Sequence, residues 1–431
     1  MLLFNVFLKL ILKFIIVSNK ELIKLTKYIF LFNVNFICFV FYILIWDKFE
    51  KPEECKECKA LYIHVPFCSS LCPFCIFHSM LYRKNLVKDY FASLKKEITN
   101  YIENNYNFDS IYIGGGTPTL TTYEVCDLID YIKQYLNIKD VSIEGSIYDI
   151  NEEKIDMLKN VGITRLSLGI ESFQSATQKD IGRPQLDDEE IMNKIEIASS
   201  ISTLNVDILF NLPHQTIKDL GYEINRAKES KANQITFYPI MPSIRNSELF
   251  KEPDERNERP FYYYILKSFL NSDFIQSNAW TFTKNHDSIT DEYIVDHPFF
   301  AGIGTGAMSY INGKYYVNSF DINKYEKMIY NNNMPVVLSK KLSLREQVYL
   351  EFIYKFYSLE FNKKIFEELF GIDIENYMRN ELSLLAFIKA IKYENDKIVL
   401  TDYGKYIANL IMKNFYINIS KIRKYCLENN L

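Results

Sequence analysis

From residue 60 onward, short runs of β-branched and aromatic residues alternate with charged stretches whose apolar residues recur at helical spacing. Strands that alternate with amphipathic helices predict a parallel sheet covered by its connecting helices. The strand candidates are Leu61–Val65, Ser110–Ile113, Val141–Glu144, Arg165–Gly169, Thr203–Leu209 and Gln234–Pro239. The helix candidates are Val87–Tyr106, Tyr123–Tyr135, Glu152–Asn160, Asp187–Ser200 and Ile217–Ser230. Six successive units fit a partial (β/α)6 TIM-like barrel better than a doubly wound sheet, so we predict an α/β fold of that kind.

Residues suited to chemistry stand at or near the predicted carboxyl ends of these strands. Clustered cysteines follow the first strand, and the run GGGTPT follows the second. Polar side chains mark the next four strands: Glu144, Glu171, Asp207 and Tyr238. Barrel enzymes build their active sites from this end of the strands. The sequence therefore predicts one site that combines these residues.

The stretch HVPFCSSLCPFCIFH contains Cys68, Cys72 and Cys75. Five of the eight cysteines fall between positions 55 and 75, which favours metal or redox chemistry in a reducing compartment over a disulfide framework. Structural zinc would need a fourth ligand, for which His64, His78, Cys55 and Cys58 are candidates. An iron–sulfur cluster on three thiolates would leave one iron open. Spacing alone leaves both open, and inert buried thiols are a third interpretation.

The glycine run in IYIGGGTPT predicts a strand end where backbone approaches a ligand closely. It matches neither the dinucleotide-binding GxGxxG pattern nor a phosphate-binding P-loop. A tight turn is the simpler interpretation of glycines alone. The combination of CxxxCxxC after the first strand with GGGTPT after the second is more specific than either motif.

These motifs resemble those of radical S-adenosylmethionine (SAM) enzymes, in particular the oxygen-independent coproporphyrinogen III oxidase-like family, which includes haem chaperones and haem-degrading relatives. The resemblance covers about residues 60 to 425 and is carried by seven stretches: LYIHVPFCSSLCPFCIFH, IYIGGGTPTL, GITRLSLGIESFQ, NVDILFNLPHQT, FYPIMPS, FFAGIGTGAMSYING and LTDYGKYIANLIMKNFY. It implies a radical SAM barrel followed by a mainly helical, winged-helix-like C-terminal domain.

The resemblance also implies residue roles. Cys68, Cys72 and Cys75 would hold a [4Fe–4S] cluster whose open iron binds SAM. The residues expected to contact SAM are Tyr62, Phe74, Gly115, Gly116, Thr117, Glu144, Glu171, Arg183 and Asp207. The reaction implied is reductive cleavage of SAM to a 5′-deoxyadenosyl radical that acts on a tetrapyrrole. One or two SAM molecules and an electron donor of the flavodoxin or ferredoxin type would take part.

Several positions depart from the family pattern. Phe77 stands where authentic oxidases commonly carry a fourth cysteine, Glu171 replaces a usual glutamine, and Pro184 follows Arg183 in place of a histidine-containing run. These departures keep other readings open: a haem chaperone that retains the cluster and SAM, or another radical reaction such as haem ring opening or methyl transfer. Without the motif, Tyr62 and Phe74 would be read as core aromatics, and His64 as either a core histidine or a support for the site.

The N-terminal segment differs from the rest of the chain. Tyr28 to Trp46 carries no charge and is long enough to span a bilayer. Preceding lysines and following acidic residues would orient the cysteines outward, against the reducing compartment that they favour. A membrane anchor, a packed extension and sequence upstream of the true start are the three interpretations. The near-balanced net charge of −4 predicts no broad nucleic-acid-binding face.

We predict four segments: 1–54 as a hydrophobic extension, 55–245 as the barrel, 246–340 as a substrate-covering extension and 341–431 as the C-terminal domain. Within the third, Phe299 to Phe320 is predicted to be a glycine-spaced loop flanked by strands. The CxxC of Cys55 and Cys58 is expected to be solvent-exposed and without a cluster, and Cys126 and Cys426 to be structural. The expected protein is a cytoplasmic monomer, or a membrane-associated one if residues 28–46 form an anchor.

Overall fold

The computed structural model describes residues 55–242, 255–284 and 297–431. The hydrophobic extension and its candidate span at residues 28–46 lie outside the described residues. Within those ranges, none of the helices combines the length and apolarity needed to cross a bilayer.

The strands confirm the predicted barrel units and extend them. Their bounds are β1 Ala60–Val65, β2 Phe67–Cys68, β3 Met80–Leu81, β4 Ser110–Gly115, β5 Asp140–Ser146, β6 Arg165–Glu171, β7 Thr203–Phe210, β8 Gln234–Pro239, β9 Ile275–Gln276, β10 Thr281–Thr283, β11 Phe300–Ile303, β12 Met308–Ile311, β13 Lys314–Asn318, β14 Val336–Lys341, β15 Glu360–Asn362, β16 Ile391–Glu394 and β17 Lys397–Leu400. A twelve-stranded sheet runs in the order β14-β13-β12-β11-β1-β4-β5-β6-β7-β8-β10-β9. Neighbouring strands in the order from β11 to β8 are all parallel, as expected for strands that are connected through helices.

Helices connect and cover these strands. Their bounds are α1 Lys84–Glu103, α2 Thr122–Lys133, α3 Glu152–Asn160, α4 Ser175–Asp180, α5 Asp188–Ala198, α6 Ile217–Glu229, α7 Glu255–Ser268, α8 Ile322–Tyr330, α9 Leu344–Tyr357, α10 Lys364–Phe370, α11 Ile374–Tyr377, α12 Arg379–Phe387 and α13 Asp402–Glu428. Several begin at reciprocal capping boxes, such as Asp187 with Glu190 and Ser343 with Glu346. Such caps satisfy backbone N–H groups that a helix start leaves without partners, which fixes where these helices begin.

Side-chain alternation along the strands divides the core from the site. On β1, Leu61, Ile63 and Val65 are fully buried in the large apolar cluster beneath the helices. Tyr62 and His64 point to the opposite face of the same strand, because successive side chains alternate. The same pattern on β4 sends Ile111 and Ile113 into the core. The inner face of the barrel is therefore left to polar and aromatic residues.

The segment from Phe299 to Phe320 corrects one prediction. It is mostly strand, forming β11, β12 and β13, which are joined by turns at Gly304–Gly306 and at Asn312–Gly313. The glycines allow close contact: a Cβ on Gly302 would lie 2.1 Å from the Met308 carbonyl oxygen. Gly304 has a φ of 102°, which side chains disfavour. The glycines therefore serve close strand packing at Gly302 and the short turns between strands at Gly304, Gly306 and Gly313.

The cysteine pair at Cys55 and Cys58 is a second correction. We expected exposed thiols, but both are buried and belong to the main apolar cluster. They precede β1 in a turn closed by the Cys58 N–H, which donates to the Cys55 carbonyl at 3.3 Å. The charged neighbours Lys56 and Glu57 point to solvent while the sulfurs point inward.

The C-terminal part is mainly helical, as predicted. A three-stranded sheet in the order β15-β17-β16 packs among α9 to α12, and Ile398–Gly404 forms the expected strand, turn and helix start. The long helix α13 returns to the barrel, where Arg423 donates to the carbonyl oxygens of Ile76 and Phe77 at 3.2 and 2.6 Å. The C-terminal part thereby contacts the cysteine loop directly. The segment boundaries at residues 245 and 340 stay a prediction.

Candidate functional site

A cavity of about 270 Å³ opens at the carboxyl ends of β1 and β4 to β8. It is lined by every site residue proposed from the sequence: Tyr62, Cys68, Cys72, Phe74, Cys75, Gly115, Gly116, Thr117, Glu144, Glu171, Arg183 and Asp207. These residues come from separate strands and loops between positions 62 and 207. The fold brings all of them to one place.

The three cysteines occupy one wall of this cavity, on the loop that follows β1. Cys72 is buried and Cys68 and Cys75 are partly exposed. The Cys75 N–H donates to the Cys72 carbonyl at 3.2 Å, and the Thr117 hydroxyl lies 3.6 Å from Cys68 Sγ. Burial raises the pKa of the Cys72 thiol to about 12, against the opposing charge of Arg183. Three thiols of which one is buried and two are partly exposed are suited to a ligand that brings positive charge.

The zinc interpretation required a fourth ligand near these thiols. Within the described ranges, no three His, Cys, Asp or Glu side chains are arranged to hold a single metal ion. Cys55 and Cys58 lie before β1, at its amino end, and His64 is hydrogen-bonded through both ring nitrogens. In an iron–sulfur cluster each cysteine thiolate binds a different iron atom. Three cysteines around one cavity therefore suit such a cluster, although they do not converge on a single metal ion.

The glycine run forms a second wall made of backbone. A Cβ on Gly115 would lie 2.5 Å from the His64 ring, and the residue has a φ of 118°. A Cβ on Gly116 would lie 2.6 Å from the Pro66 carbonyl carbon. The Gly116 N–H donates to the Val65 carbonyl at 2.8 Å, which ties the run to the end of β1. Glycine is required here so that two strand ends can meet beside the cavity.

Two carboxylates on the inner face are held by fixed donors. Glu144 accepts from the Gly115 N–H at 3.0 Å and from the Tyr112 hydroxyl at 2.9 Å. Asp207 accepts from the Ser167 hydroxyl at 2.8 Å and from the Asn205 amide at 2.7 Å. Burial raises the pKa of both groups, that of Asp207 to about 7. Both are therefore oriented acceptors near the ends of β5 and β7.

Glu171 and Arg183 form an ion pair across the cavity, in which Arg183 Nη2 donates to Glu171 Oε1. Glu171 ends β6 with a φ of 63°, and the Arg183 guanidinium lies 5.7 Å from the centre of the Phe74 ring. Within the described part of the chain, Glu171 Oε2 and Arg183 Nε are buried without a hydrogen-bond partner. Buried polar atoms of this kind are costly unless a ligand pairs with them. Arg183 is thus placed in the cavity despite its unusual sequence context.

His64 fixes the orientation of the Tyr62 hydroxyl. His64 Nε2 lies 2.9 Å from the His78 carbonyl oxygen, which only accepts, so Nε2 carries the proton. Burial lowers the pKa of His64 to about 4, so the ring is neutral and Nδ1 is an acceptor. The Tyr62 hydroxyl, 2.9 Å from Nδ1, must therefore donate to it. His64 is a positioning residue for Tyr62, the second of the two roles left open by the sequence.

Residues 62–226 match the radical SAM superfamily. The chain carries a radical SAM domain.

Two curated proteins are similar to this chain over most of their own length. The haem chaperone HemW of Bacillus subtilis (strain 168) is 28% identical over 378 residues, covering 83% of this chain and 99% of that protein. The oxygen-independent coproporphyrinogen III oxidase of Pseudomonas aeruginosa is 24% identical over 396 residues, which cover 83% of this chain and 85% of that protein. The structure of Escherichia coli HemN covers 83% of this chain and 90% of that chain with a TM-score of 0.72 at 19% identity, which shows a shared fold.

The residues of the radical SAM domain fit a cluster with SAM. Three thiols, a backbone wall and a buried ion pair with unsatisfied atoms line one cavity. In the described lining, Cys68, Cys72 and Cys75 are the cysteines, and no histidine accompanies them. A [4Fe–4S] cluster held by these three cysteines would keep one iron available for another ligand.

Sequence reasoning missed part of the cavity. Tyr112 orients Glu144, and its place on β4 two residues before Gly114 could have been found from strand alternation. Tyr416 comes from α13 and packs edge-on against Phe77 with ring centres 6.0 Å apart. No local signal identifies Tyr416, because its partner lies far away in the sequence. Beyond Phe77 and Tyr416 lies a second, mainly apolar cavity of about 140 Å³.

Proposed function

We propose that Cys68, Cys72 and Cys75 bind a [4Fe–4S] cluster and that the cavity binds SAM for reductive cleavage. The observation that carries this proposal is the convergence of three motif cysteines and nine other predicted residues on one cavity of a radical SAM domain. When bound, the cluster supplies one electron, and cleavage of SAM yields methionine and a 5′-deoxyadenosyl radical. The thiolate ligands require a reducing compartment, which favours the cytoplasm.

The chain's own residues would bind and orient SAM. Arg183 is suited to a carboxylate and Glu171 to an ammonium group, because each retains a buried polar atom. Gly115 and Gly116 let the ligand approach the backbone closely. The oriented acceptors Glu144 and Asp207 are suited to ribose hydroxyls.

We propose a tetrapyrrole as the molecule acted on or carried. The matched relatives named above carry coproporphyrinogen or haem in their names. The second cavity, lined mainly by aromatic and aliphatic side chains such as Phe300, Phe320 and Phe415, offers apolar surface beside the first. If the protein is an oxidase, the radical would abstract a hydrogen atom from a propionate side chain, and the resulting substrate radical would release CO2 and pass one electron to an electron acceptor.

A haem-chaperone function is the second candidate, and two observations favour it. The chaperone of Bacillus subtilis matches at higher identity and over a larger share of its length than the oxidase of Pseudomonas aeruginosa. Phe77 occupies the position where the resemblance expects an additional cysteine in oxidases, and it is packed against Tyr416.

An anaerobic assay separates these functions. Reconstituted protein is incubated with dithionite and SAM, and 5′-deoxyadenosine is quantified. Coproporphyrinogen III decarboxylation and haem binding are then measured in parallel. Deoxyadenosine formation supports SAM cleavage. Decarboxylation identifies an oxidase, whereas stoichiometric haem binding without decarboxylation identifies a chaperone. A reconstituted protein that forms no deoxyadenosine contradicts the cleavage proposal.

A further inference from the structure

The chain that leaves the cysteine loop presents a surface that neither cavity uses. It consists of Leu81, Tyr82, Arg83, Lys84 and Lys88, which we term the loop-exit patch; all five residues are exposed. Leu81 is 50% exposed and Tyr82 is 40% exposed. None of the five lines either of the two cavities described above. Their exposure is therefore not explained by ligand binding within the barrel.

The patch is connected to a proposed cluster ligand by backbone hydrogen bonds. Leu81 on β3 pairs with Cys68 on β2, and the Tyr82 N–H donates to the Cys68 carbonyl oxygen at 2.8 Å. The Phe67 ring packs edge-on against Tyr82 with centres 6.4 Å apart. The patch therefore lies on the outer side of the strand pair that positions Cys68.

The charge of the patch is opposite to that of the whole chain. Residues 81–89 contain three basic side chains, Arg83, Lys84 and Lys88, against one carboxylate, Asp89, whereas the chain carries −4 overall. The ion pairs between described residues do not include any of these three cations. Exposed cations beside an apolar and aromatic surface are typical of an interface with an acidic partner.

We propose that the loop-exit patch docks an acidic, low-potential protein that donates one electron. The inference rests on the proposed function, which consumes one electron for each cleavage of SAM. The donor loses one electron and the cluster gains it, and no proton or further reactant is required. A protein seated on the patch would contact the backbone that holds Cys68, which is a direct route to the site.

Charge reversal tests the patch. The double variant Lys84→Glu/Lys88→Glu is compared with the control Lys159→Glu/Lys231→Glu. The two control lysines are exposed and lie before β6 and β8, near the amino ends of these strands and so at the opposite end from the cavity. Anaerobic binding of an acidic flavodoxin is measured by calorimetry at low and high salt, and cluster reduction is followed with reduced flavodoxin and with dithionite. We expect flavodoxin affinity to fall about tenfold or more in the patch variant only. The reason is that opposite charges steer the two proteins together and fix their relative orientation. Salt should weaken wild-type binding.

A second variant, Leu81→Ser, removes apolar contact without changing charge and should also weaken binding. Equal flavodoxin affinity in the patch and control variants would overturn the proposal, as would binding insensitive to salt. If a short DNA duplex bound as tightly as flavodoxin, the patch would be a nucleic-acid-binding surface, and the proposal of an acidic protein partner would be wrong. Failure of the wild-type protein to assemble a cluster contradicts the proposed function instead, because flavodoxin binding is measured independently of the cluster.

Discussion

The Tyr62 hydroxyl donates to Nδ1 of His64 across 2.9 Å, because the opposite ring nitrogen of His64 is committed to the His78 carbonyl oxygen. A side chain at the cavity wall is thus oriented by a residue that lies behind it.

Loss of either partner should weaken SAM binding through the same hydroxyl. We expect Tyr62→Phe and His64→Leu each to lower SAM affinity by about 5- to 10-fold, the cost of one neutral hydrogen bond. The double variant should lose no more than the larger single effect, because both substitutions remove one oriented group. Calorimetric titration of the reconstituted variants measures this coupling. Additive losses would show that His64 does not act through Tyr62.

The glycine wall gives a test with a matched control. Gly115 and Gly371 both have positive φ, but a Cβ on Gly115 meets the His64 ring whereas nothing lies within 4 Å of Gly371. Gly371→Ala should cost about 1 kcal/mol of unfolding free energy and leave SAM binding intact. Gly115→Ala should in addition abolish SAM binding, since it displaces His64. Urea unfolding and SAM titration of both variants check this. Retained binding in Gly115→Ala would contradict the steric argument.

The Glu171–Arg183 pair predicts unequal effects of its two members. Arg183→Met removes the cation proposed to bind the SAM carboxylate and leaves Glu171 without its partner, so SAM affinity should fall by about 10- to 100-fold. Glu171→Gln retains an oxygen that accepts from Arg183 and should cost less than about tenfold. Dissociation constants for SAM in the two variants provide the measurement. A larger loss in Glu171→Gln than in Arg183→Met would contradict the assignment of Arg183 to an anionic group of SAM.

A buried carboxylate behind the site predicts a dependence of stability on pH. Glu97 accepts from the Gly304 N–H at 2.9 Å, the Asn318 amide at 2.9 Å and the Tyr325 hydroxyl at 2.6 Å. It thereby joins α1, the β11–β12 turn, β13 and α8. Burial raises the pKa of Glu97 from 4.5 to about 7, even though these donors oppose the shift.

The folded chain then holds a proton on Glu97 that the unfolded chain has lost. This contribution to stability is complete below pH 4.5 and is lost as the pH rises through about 7. Glu97→Gln does not titrate, so wild type should lose up to about 3 kcal/mol relative to the variant between pH 4.5 and 7.5. Urea midpoints across this range check the trend. A difference that is constant with pH would show that Glu97 keeps an ordinary pKa.

The sequence predicted the barrel because its strands are short and apolar and alternate with amphipathic helical stretches, so local pattern decides their structure. It predicted the cavity because parallel strands bring their carboxyl ends together, which converts chain order into spatial proximity. Residues as far apart as Tyr62 and Asp207 could therefore be assigned to one site.

The remaining features depend on contacts without a local signal. Tyr416 and Arg423 reach the cysteine loop from α13, which local periodicity cannot indicate. The burial of Cys55 and Cys58 was missed because Lys56 and Glu57 suggested an exposed turn, although side chains in a turn diverge. The meander from β11 to β13 was missed because its glycines, which lie at a close strand contact and in short turns, suggested a loop.

The content of iron and sulfide in anaerobically reconstituted protein tests the central claim most directly. It is determined for wild type, Cys72→Ala and the control Cys55→Ala, together with the electron paramagnetic resonance signal after reduction, with and without SAM. We predict about four irons and four sulfides per chain in wild type and Cys55→Ala, with a signal that changes when SAM is added, and loss of the cluster in Cys72→Ala. Zinc in place of iron and sulfide, or an unaltered cluster in Cys72→Ala, would contradict the account.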